Sequence, residues 1–181
     1  FPAKNLIRKA LTWGTDLTLV TDGSRQSYQY DLSKFAVFCA SNSGRTKEVL
    51  LLARKIEQER NPYRFAMTAH HNTLLEKHCA ETVVLNCGNE NAVAATKSVV
   101  EQALVYESIL WNIAGKNMKP DMPTLADTLY SVLTAQIEPH IIQKAAMAPT
   151  IYFAGYNDGV AEELTLKTNE ITRKKSDFLE G

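Results

Sequence analysis

The sequence feature that most constrains the fold is an apolar run that ends abruptly in a polar turn. Residues 35–40 are all apolar, and a turn of Ser-Asn-Ser-Gly-Arg-Thr follows directly at 41–46. A run that is apolar on both faces predicts a short buried strand of a parallel sheet. Residues 47–59 then carry apolar side chains at 49, 52, 53 and 56, which is the spacing of an amphipathic helix. The sequence therefore predicts a strand, a turn and a helix in direct succession.

The turn has the composition of an anion-binding site. Ser41, Ser43 and Thr46 supply hydroxyl groups, Asn42 supplies an amide, and Gly44 allows a ligand to approach the backbone. The first N–H groups of the following helix lack acceptors, and the helix dipole favours a negative charge there. These features predict a phosphate-binding turn. Ser and Asn are also common helix caps, so the short pattern by itself leaves a purely capping role open.

The balance of charges excludes several classes of partner. Lysines plus arginines number 20, as do aspartates plus glutamates, so no overall field attracts nucleic acid or an anionic membrane. No apolar run is long enough to span a bilayer and the N-terminus lacks the layout of a secretory signal, so we expect a cytoplasmic protein.

The cysteines and histidines show no metal-binding or disulfide pattern. Cys39, Cys79 and Cys87 are scattered without C-x-x-C spacing, which predicts neither a disulfide framework nor a zinc site. Cys39 is expected to be a small buried hydrophobe in its strand, with reactive thiol chemistry as the alternative. His70 and His71 are expected to lie in a loop, because no carboxylate or cysteine accompanies them at ligand spacing. Contact of one of them with a ligand at the carboxyl end of the strand is the alternative.

Helix and strand signals alternate along most of the chain. This alternation predicts an α/β fold, a doubly wound parallel sheet flanked by helices. The predicted strands are 17–21, 35–40, 65–69, 82–86 and 150–154. The predicted helices are 6–13, 47–59, 74–78, 91–114, 125–138 behind a weak capping box of Thr124 and Asp127, and a helix from Asp158 to about residue 175.

A connector divides the chain into parts. Gly115 ends the long helix, and residues 116–123 with two prolines form the clearest break. We predict a first domain at 1–114, a connector and helix at 115–147, and the start of a second similar domain at 148–181. Because parallel strands need neighbours, a unit of one strand and one helix is incomplete, and we expect the natural product to extend at both ends.

The helix after Asp158 carries a second group of polar residues. Helical spacing predicts a core face made of Val160, Leu164 and Ile171. Three charged residues at spacings of four and three form a stripe at the edge of that face: Glu163, Lys167 and Glu170. Such side chains are expected to be half-buried. A surface Glu-Lys pair adds only a few tenths of a kcal/mol, so stability gives weak reason for the stripe, although a solvated charged face remains the alternative.

A third motif lies between these two, at residues 87–98, with the sequence Cys-Gly-Asn-Glu-Asn-Ala-Val-Ala-Ala-Thr-Lys-Ser. With S-x-S-G-x-T before it and E-x3-K-x2-E-I after it, this order resembles the sugar isomerase (SIS) domain family. The likeness is closest to the two-domain type in the isomerase half of glucosamine-6-phosphate synthase. That type has a serine-rich turn, a G-x-E-x-x-V-A-[ST]-T-K turn and an L-K-x-x-E-I helix in the same order. The resemblance covers nearly the whole chain.

The resemblance implies roles for individual residues. The sugar phosphate would be held by Ser41, Asn42, Ser43 and Thr46. Val93 would approach the sugar through its backbone, Glu170 would be the catalytic base, and Lys167 its cationic neighbour. Ala95 stands where the family has a hydroxyl residue, Asn169 replaces a lysine common in the synthase, and Arg45 replaces an acidic residue, which leaves the substrate open. The resemblance implies no metal or organic cofactor, and it implies a homodimer or a higher homo-oligomer.

The implied activity is aldose-ketose or aminosugar-phosphate isomerisation by a glutamate base, through an enediol or enolamine. Two alternatives remain open at this point. One is a sugar-phosphate deaminase or fructosamine-phosphate deglycase with the same base, and the other is a non-catalytic sugar-phosphate sensor. The family's first glycine-serine loop would precede Phe1 and its ring-opening histidine would follow Gly181, so the segment alone is expected to be an incomplete catalyst.

Overall fold

The computed structural model of the chain describes residues 2–180 as an alternation of helices and parallel strands. The strands are β1 Val37–Ala40, β2 Arg64–Thr68, β3 Glu81–Val84, β4 Ile151–Gly155 and β5 Ser176–Glu180. The α-helices are α1 Lys4–Thr12, α2 Ser24–Ser27, α3 Lys47–Gln58, α4 Lys97–Ile113, α5 Met122–Thr134, α6 Pro139–Met147 and α7 Val160–Thr172. Short 3-10 turns lie at Glu76–His78 and Lys119–Asp121.

The chain forms two compact units. Residues 20–103 make one unit, and the residues up to 19 together with those from 104 onward make the other, so α4 contributes to both. The predicted first domain, 1–114, is therefore shared between the two units. The domain boundaries given by the sequence remain a prediction. The α/β architecture with parallel sheets flanked by helices is confirmed.

The unit of residues 20–103 is built on a parallel sheet in the order β1-β2-β3. Helix α3 packs on one face of this sheet, since its apolar positions recur at helical spacing. The buried core that results consists of Leu32, Cys39, Val49, Leu50, Leu52, Ala53, Ile56, Ala66 and Leu75. On the other face Phe38 and Phe65 lie opposite each other in the register and stack, with ring centroids 4.8 Å apart. This sheet brings the carboxyl ends of its strands to one edge.

The other unit contains a β-α-β arrangement. Strands β4 and β5 pair in parallel and α7 connects them. Ala161 and Thr165 are buried on α7, and a Cβ added to Gly155 would lie 3.0 Å from the Cβ of Ala161. Helix and strand thus approach closely through small residues. Ion pairs join α1 to its neighbours, Lys4 to Glu162 on α7 and Lys9 to Glu107 on α4.

Several predicted strands and helices are confirmed, but two strand predictions are wrong. Residues 17–21 lie in neither of the two sheets of residues 2–180, and Val20 is 62% exposed. An apolar, β-branched stretch becomes a strand only if another strand pairs with it, which the local pattern does not show. The second error is that strand β5 was not predicted. It follows α7 and pairs with β4, so the second α/β unit contains two strands and a helix.

The helix boundaries also differ from the prediction. The long helix begins at Lys97 rather than at residue 91, and residues 74–78 form only a 3-10 turn. Helix α5 begins at Met122 and ends at Thr134, so the predicted capping box of Thr124 and Asp127 is wrong. A proline in the first turn starts α5 instead. Helix α6 was not predicted. None of the described helices combines the length and the apolar character needed to cross a membrane.

The predicted core face of α7 is wrong. The three residues assigned to it are largely exposed, with Val160 at 56%, Leu164 at 46% and Ile171 at 63%. Ala161 and Thr165 are buried in their place. Small side chains let α7 approach its strands closely, whereas a pattern that weighs only large apolar residues points to the opposite side of the helix.

Candidate functional site

The polar turn of residues 41–46 lies at the carboxyl end of β1, as predicted. Its Ser41 is 6% exposed, and the hydroxyl groups of Ser41 and Thr46 are 2.8 Å apart. The turn is tied to the neighbouring strand, because the carbonyl oxygen of Asn42 accepts a hydrogen bond of 3.0 Å from the amide of Ala69. The backbone amide of Arg45 donates to the hydroxyl oxygen of Ser43 at 3.2 Å. The structure therefore brings the predicted phosphate-binding side chains into one turn.

The hydroxyl of Thr46 does not cap the helix that follows it. Thr46 occupies the N-cap position of α3, yet its side chain makes no hydrogen bond to the helix and instead contacts Ser41. Thr46 therefore does not act as a side-chain cap of α3 in this structure. The first N–H groups of α3 have no acceptor within the helix, and the helix dipole adds partial positive charge. Arg45 and Lys47, both exposed, add cationic charge beside it.

Gly44 is required by the geometry of this turn. Its φ is +60°, a left-handed conformation that favours glycine, and a Cβ built on it would lie 2.4 Å from the Cβ of Thr73. Thr73 cannot easily move away, because its amide donates to Glu76 at 2.8 Å and its hydroxyl accepts from the amide of Glu76 at 3.4 Å. The turn thus closes against a fixed neighbour.

The N-terminus of α4, unlike that of α3, is occupied by a carboxylate from this chain. One oxygen of Glu90 accepts hydrogen bonds from the amides of Thr96 and Lys97, both at 2.6 Å, and the other accepts from the Ser98 hydroxyl at 2.5 Å. Burial acts to raise the pKa of Glu90, but these hydrogen bonds outweigh it and lower the pKa to about 2. This cap explains why the helix begins at Lys97 and not six residues earlier.

The loop before α4 contains two of the predicted site residues. The Val93 side chain is 98% exposed and Ala95 is half-buried. Asn42 of the polar turn reaches this loop, with its Nδ2 lying 3.4 Å from Oε2 of Glu90. Sequence reasoning did not assign a role to Glu90, although it is the glutamate of the G-x-E motif. Its position in that motif was the available signal.

The charged stripe on α7 is present. The ammonium of Lys167 lies 3.2 Å from Oε1 of Glu163 and 3.1 Å from Oε2 of Glu170. The side chains of Glu163 and Lys167 are each 18% exposed and that of Glu170 is 39% exposed, so the expected half-burial holds for the first two and Glu170 is more open. Burial acts to lower the pKa of Lys167, but hydrogen bonds and charges from the two glutamates raise it overall. Lys167 is therefore a cation held between two carboxylates.

Cys39 and the histidine residues considered in the sequence analysis have structural surroundings rather than those of an activated nucleophile or a metal-binding site. Cys39 is buried in β1, and a contact with the Cys79 thiol together with burial raises the pKa of Cys39. A thiol in that state is a poor nucleophile. His70 and His71 are exposed loop residues, as predicted. Within residues 2–180, no three His, Cys, Asp or Glu side chains are grouped as metal ligands.

Comparison with known proteins finds similarity in structure but not in sequence. No protein-family model and no curated protein matches the chain. A candidate phosphosugar isomerase from Silicibacter pomeroyi DSS-3 superposes with a TM-score of 0.80 at 20% identity, over 99% of this chain and 56% of that one. The C-terminal domain of glucosamine-fructose-6-phosphate aminotransferase from Francisella tularensis gives 0.78 at 18% identity, over 99% and 54%.

A third solved structure, glucosamine-6-phosphate deaminase from Thermotoga maritima, gives a TM-score of 0.61 at 24% identity, over 79% of this chain and 44% of that one. The chain spans about half the length of the first two structures. The α/β fold predicted from the motif resemblance is confirmed by these likenesses, since the first two structures superpose over 99% of the chain.

Proposed function

We propose that this chain belongs to a phosphosugar isomerase of the SIS type and that it holds the phosphate of its substrate. The phosphate site would be made by Ser41, Asn42, Ser43, Thr46 and the first N–H groups of α3. The observation that carries the proposal is the open N-terminus of α3, where the Thr46 hydroxyl turns to Ser41. Aligned N–H groups, hydroxyls and a helix dipole form a recurrent phosphate site. The fold shared with the candidate phosphosugar isomerase from Silicibacter pomeroyi supports the same conclusion.

The chemical step of the proposal uses the stripe on α7. Glu170 would remove a proton from the carbon beside the substrate carbonyl and return it to the neighbouring carbon, through an enediol or enolamine. The proton of the adjacent hydroxyl or amino group would pass to the former carbonyl oxygen. Lys167 touches Glu170 and remains an ammonium, so it would stabilise the negative charge that develops on the oxygen. Val93 and Ala95 would line the sugar through the loop before α4. Binding of the substrate phosphate would hold the substrate on the protein and lower the entropic barrier.

A second candidate is a deaminase or deglycase. It would use the same base but would end with loss of an amine, and the Thermotoga likeness to a glucosamine-6-phosphate deaminase favours it. Ala95 and Asn169 depart from the synthase pattern, which is compatible with a different outcome. Release of ammonia or of an amino acid would distinguish it from isomerisation. A non-catalytic sensor would bind the phosphosugar through the same turn but would not depend on Glu170.

The phosphate site is tested by Thr46→Val. Removing one hydrogen bond to a charged ligand should raise the dissociation constant for fructose 6-phosphate about 10- to 100-fold. Isothermal titration calorimetry on the full-length protein measures the change. Thr128→Val is a matched control, because the Thr128 hydroxyl donates to its own helix at the Thr124 carbonyl, 2.8 Å away. Equal binding by Thr46→Val and the wild type would remove Thr46 from the site.

We also propose that the protein is a homo-oligomer, with helices α5 and α6 at the interface. The sequence argument relied on the long helix α4, whose side chains are mostly half-buried. The larger apolar exposure lies instead at Leu129, Tyr130, Val132, Leu133, Ile137, Ile141, Ile142 and Met147. Large apolar side chains left exposed on two consecutive helices favour a protein-protein contact there.

A cytoplasmic location stays a prediction from the sequence.

A charge introduced at one of these exposed apolar positions tests the oligomer. Leu133 is 83% exposed, and Leu133→Lys would place an unpaired charge in the interface and weaken self-association by about tenfold or more. Light scattering after size-exclusion chromatography gives the mass over a concentration series. Ser131→Lys on the same helix is the control, because Ser131 is also exposed but is not part of the apolar set. A monomeric wild type, or two variants with equal association, would contradict the assignment.

A further inference from the structure

Two of the three cysteines lie together on the face of the sheet that α3 covers. Cys39 on β1 is buried in the core cluster, and Cys79 packs against that cluster. Ala66 on β2 lies opposite Cys39 in the register and carries only a methyl group. Ala80 donates its amide to the carbonyl oxygen of Arg64 on β2 at 2.8 Å, so the segment before β3 runs beside β2. The side chains of Cys39 and Cys79 consequently contact each other.

The two thiols have different surroundings. Cys39 is 2% exposed, whereas Cys79 is partly exposed. The hydrogen bond from the Cys39 thiol and the positive charge of Arg64 lower the pKa of Cys79, although burial and the Glu57 carboxylate act to raise it. Arg64 is held in place, since its Nε donates to the carbonyl oxygen of His78, the residue before Cys79, at 3.0 Å. Cys79 therefore carries more thiolate than an ordinary cysteine, and the thiolate is the form that reacts.

We propose that Cys39 and Cys79 are a reversible oxidation site, in which a hydroperoxide converts the two thiols into a disulfide. In the first step the Cys79 thiolate attacks the nearer peroxide oxygen, the O–O bond breaks, and the leaving oxygen takes a proton from water. Cys79 is then a sulfenic acid. In the second step the Cys39 sulfur attacks the Cys79 sulfur, and the hydroxyl group leaves with the Cys39 proton as water. The two thiols lose two electrons in all, and the peroxide gains them.

Cys39 can take part in the second step although its thiol is a poor nucleophile before oxidation. The hydrogen bond to Cys79 is the largest cause of the raised pKa of Cys39, followed by burial and by the negative charge of Cys79. Once Cys79 is a sulfenic acid, that negative charge is gone. The two side chains are already in contact, and reaction between adjacent groups has a high effective concentration. The disulfide links β1 to the segment before β3, and an added dithiol reverses it.

Peptide mapping after exposure to hydrogen peroxide tests the proposal. The full-length protein is treated with hydrogen peroxide, and its free thiols are blocked with iodoacetamide. It is then digested with trypsin and a glutamate-specific protease, because Glu81 separates Cys79 from Cys87. The Cys39 and Cys79 peptides should be joined, and dithiothreitol should release them. Cys87 is the matched control, since it is also partly exposed but burial and Glu101 raise its pKa. Cys79 should lose its free thiol about tenfold faster than Cys87, or more.

Two variants test the two steps separately. In Cys79→Ser, Cys39 should keep its free thiol, because no sulfenic acid forms beside it. In Cys39→Ser, oxidation should stop at the sulfenic acid, so dimedone should label Cys79 about tenfold more than in the wild type, or more. Mapping of the wild type needs no variant, so the proposal can be refuted even if Cys39→Ser, a change at a buried position, does not fold.

Three outcomes would overturn the proposal. The first is a disulfide that joins Cys79 to another cysteine, and the second is equal loss of the Cys79 and Cys87 thiols. The third is a sulfenic acid that persists on Cys79 in the wild type without a disulfide. None of these measurements uses a phosphosugar, so the proposal stands or falls independently of the proposed function.

Discussion

Replacing Glu170 with glutamine is expected to reduce turnover of the phosphosugar by about a hundred- to ten-thousandfold, the range for loss of a positioned general base. Glutamine has nearly the shape of glutamate but cannot take up a proton at neutral pH. The dissociation constant should change little, because the phosphate turn of residues 41–46 lies in another part of the chain. Single-turnover kinetics give the chemical rate, and calorimetry gives the affinity.

The control for this experiment makes the same chemical change on the same helix. Glu162→Gln removes the carboxylate that pairs with Lys4 and leaves the contact between Lys167 and Glu170 intact. Its turnover should stay within about twofold of the wild type, because a part-exposed ion pair contributes little to stability. If Glu170→Gln turned over substrate as fast as Glu162→Gln, the proposed base would be wrong.

Gly44→Ala is expected to abolish phosphosugar binding and to lower the free energy of unfolding by about 2–4 kcal/mol. Two effects add. An alanine in a left-handed conformation is strained, and its Cβ would lie 2.4 Å from that of Thr73, a neighbour fixed by its hydrogen bonds to Glu76. The turn must open to relieve the clash, and its hydroxyls then separate. Calorimetry and denaturant unfolding measure the two losses.

Gly14→Ala is a control that separates the backbone strain of a left-handed alanine from the clash of its Cβ with a neighbour. Gly14 has a φ of +62° but has open space around the position of a Cβ, so Gly14→Ala carries the conformational penalty alone. Its loss of stability should be about 1 kcal/mol, without an effect on phosphosugar affinity. Equal losses in the two variants would show that contact with Thr73 does not hold the turn closed.

The parts of the fold that could be predicted are those set by local patterns. The β1 strand, the polar turn and helix α3 follow from hydrophobic periods within about 25 consecutive residues. The predicted strand at 17–21 failed because a strand also depends on a partner elsewhere in the chain. The core face of α7 failed because the helix packs through Ala161 and Thr165, and a hydrophobic pattern gives such small residues little weight.

The candidate site was predictable to a similar extent. The motif order identified the hydroxyls of the turn and the stripe on α7, because spacing along one turn or one helix determines which side chains are neighbours. The position of Glu90 in the G-x-E motif marked it as a candidate, but its role as the cap of α4 could not be predicted, since its carboxylate folds back over a loop to reach amides six and seven residues later. The contact of Asn42 with Glu90, 48 residues further along, likewise lies beyond any local pattern.

The central claim, proton transfer at the carbon beside a sugar carbonyl, is tested most directly by proton NMR in heavy water. The full-length protein is incubated separately with fructose 6-phosphate, glucosamine 6-phosphate and a fructosamine phosphate. The account predicts that deuterium enters at that carbon for at least one substrate, with wild type and not with Glu170→Gln. Binding of these sugars without any deuterium incorporation would contradict it and would favour a sugar-phosphate sensor.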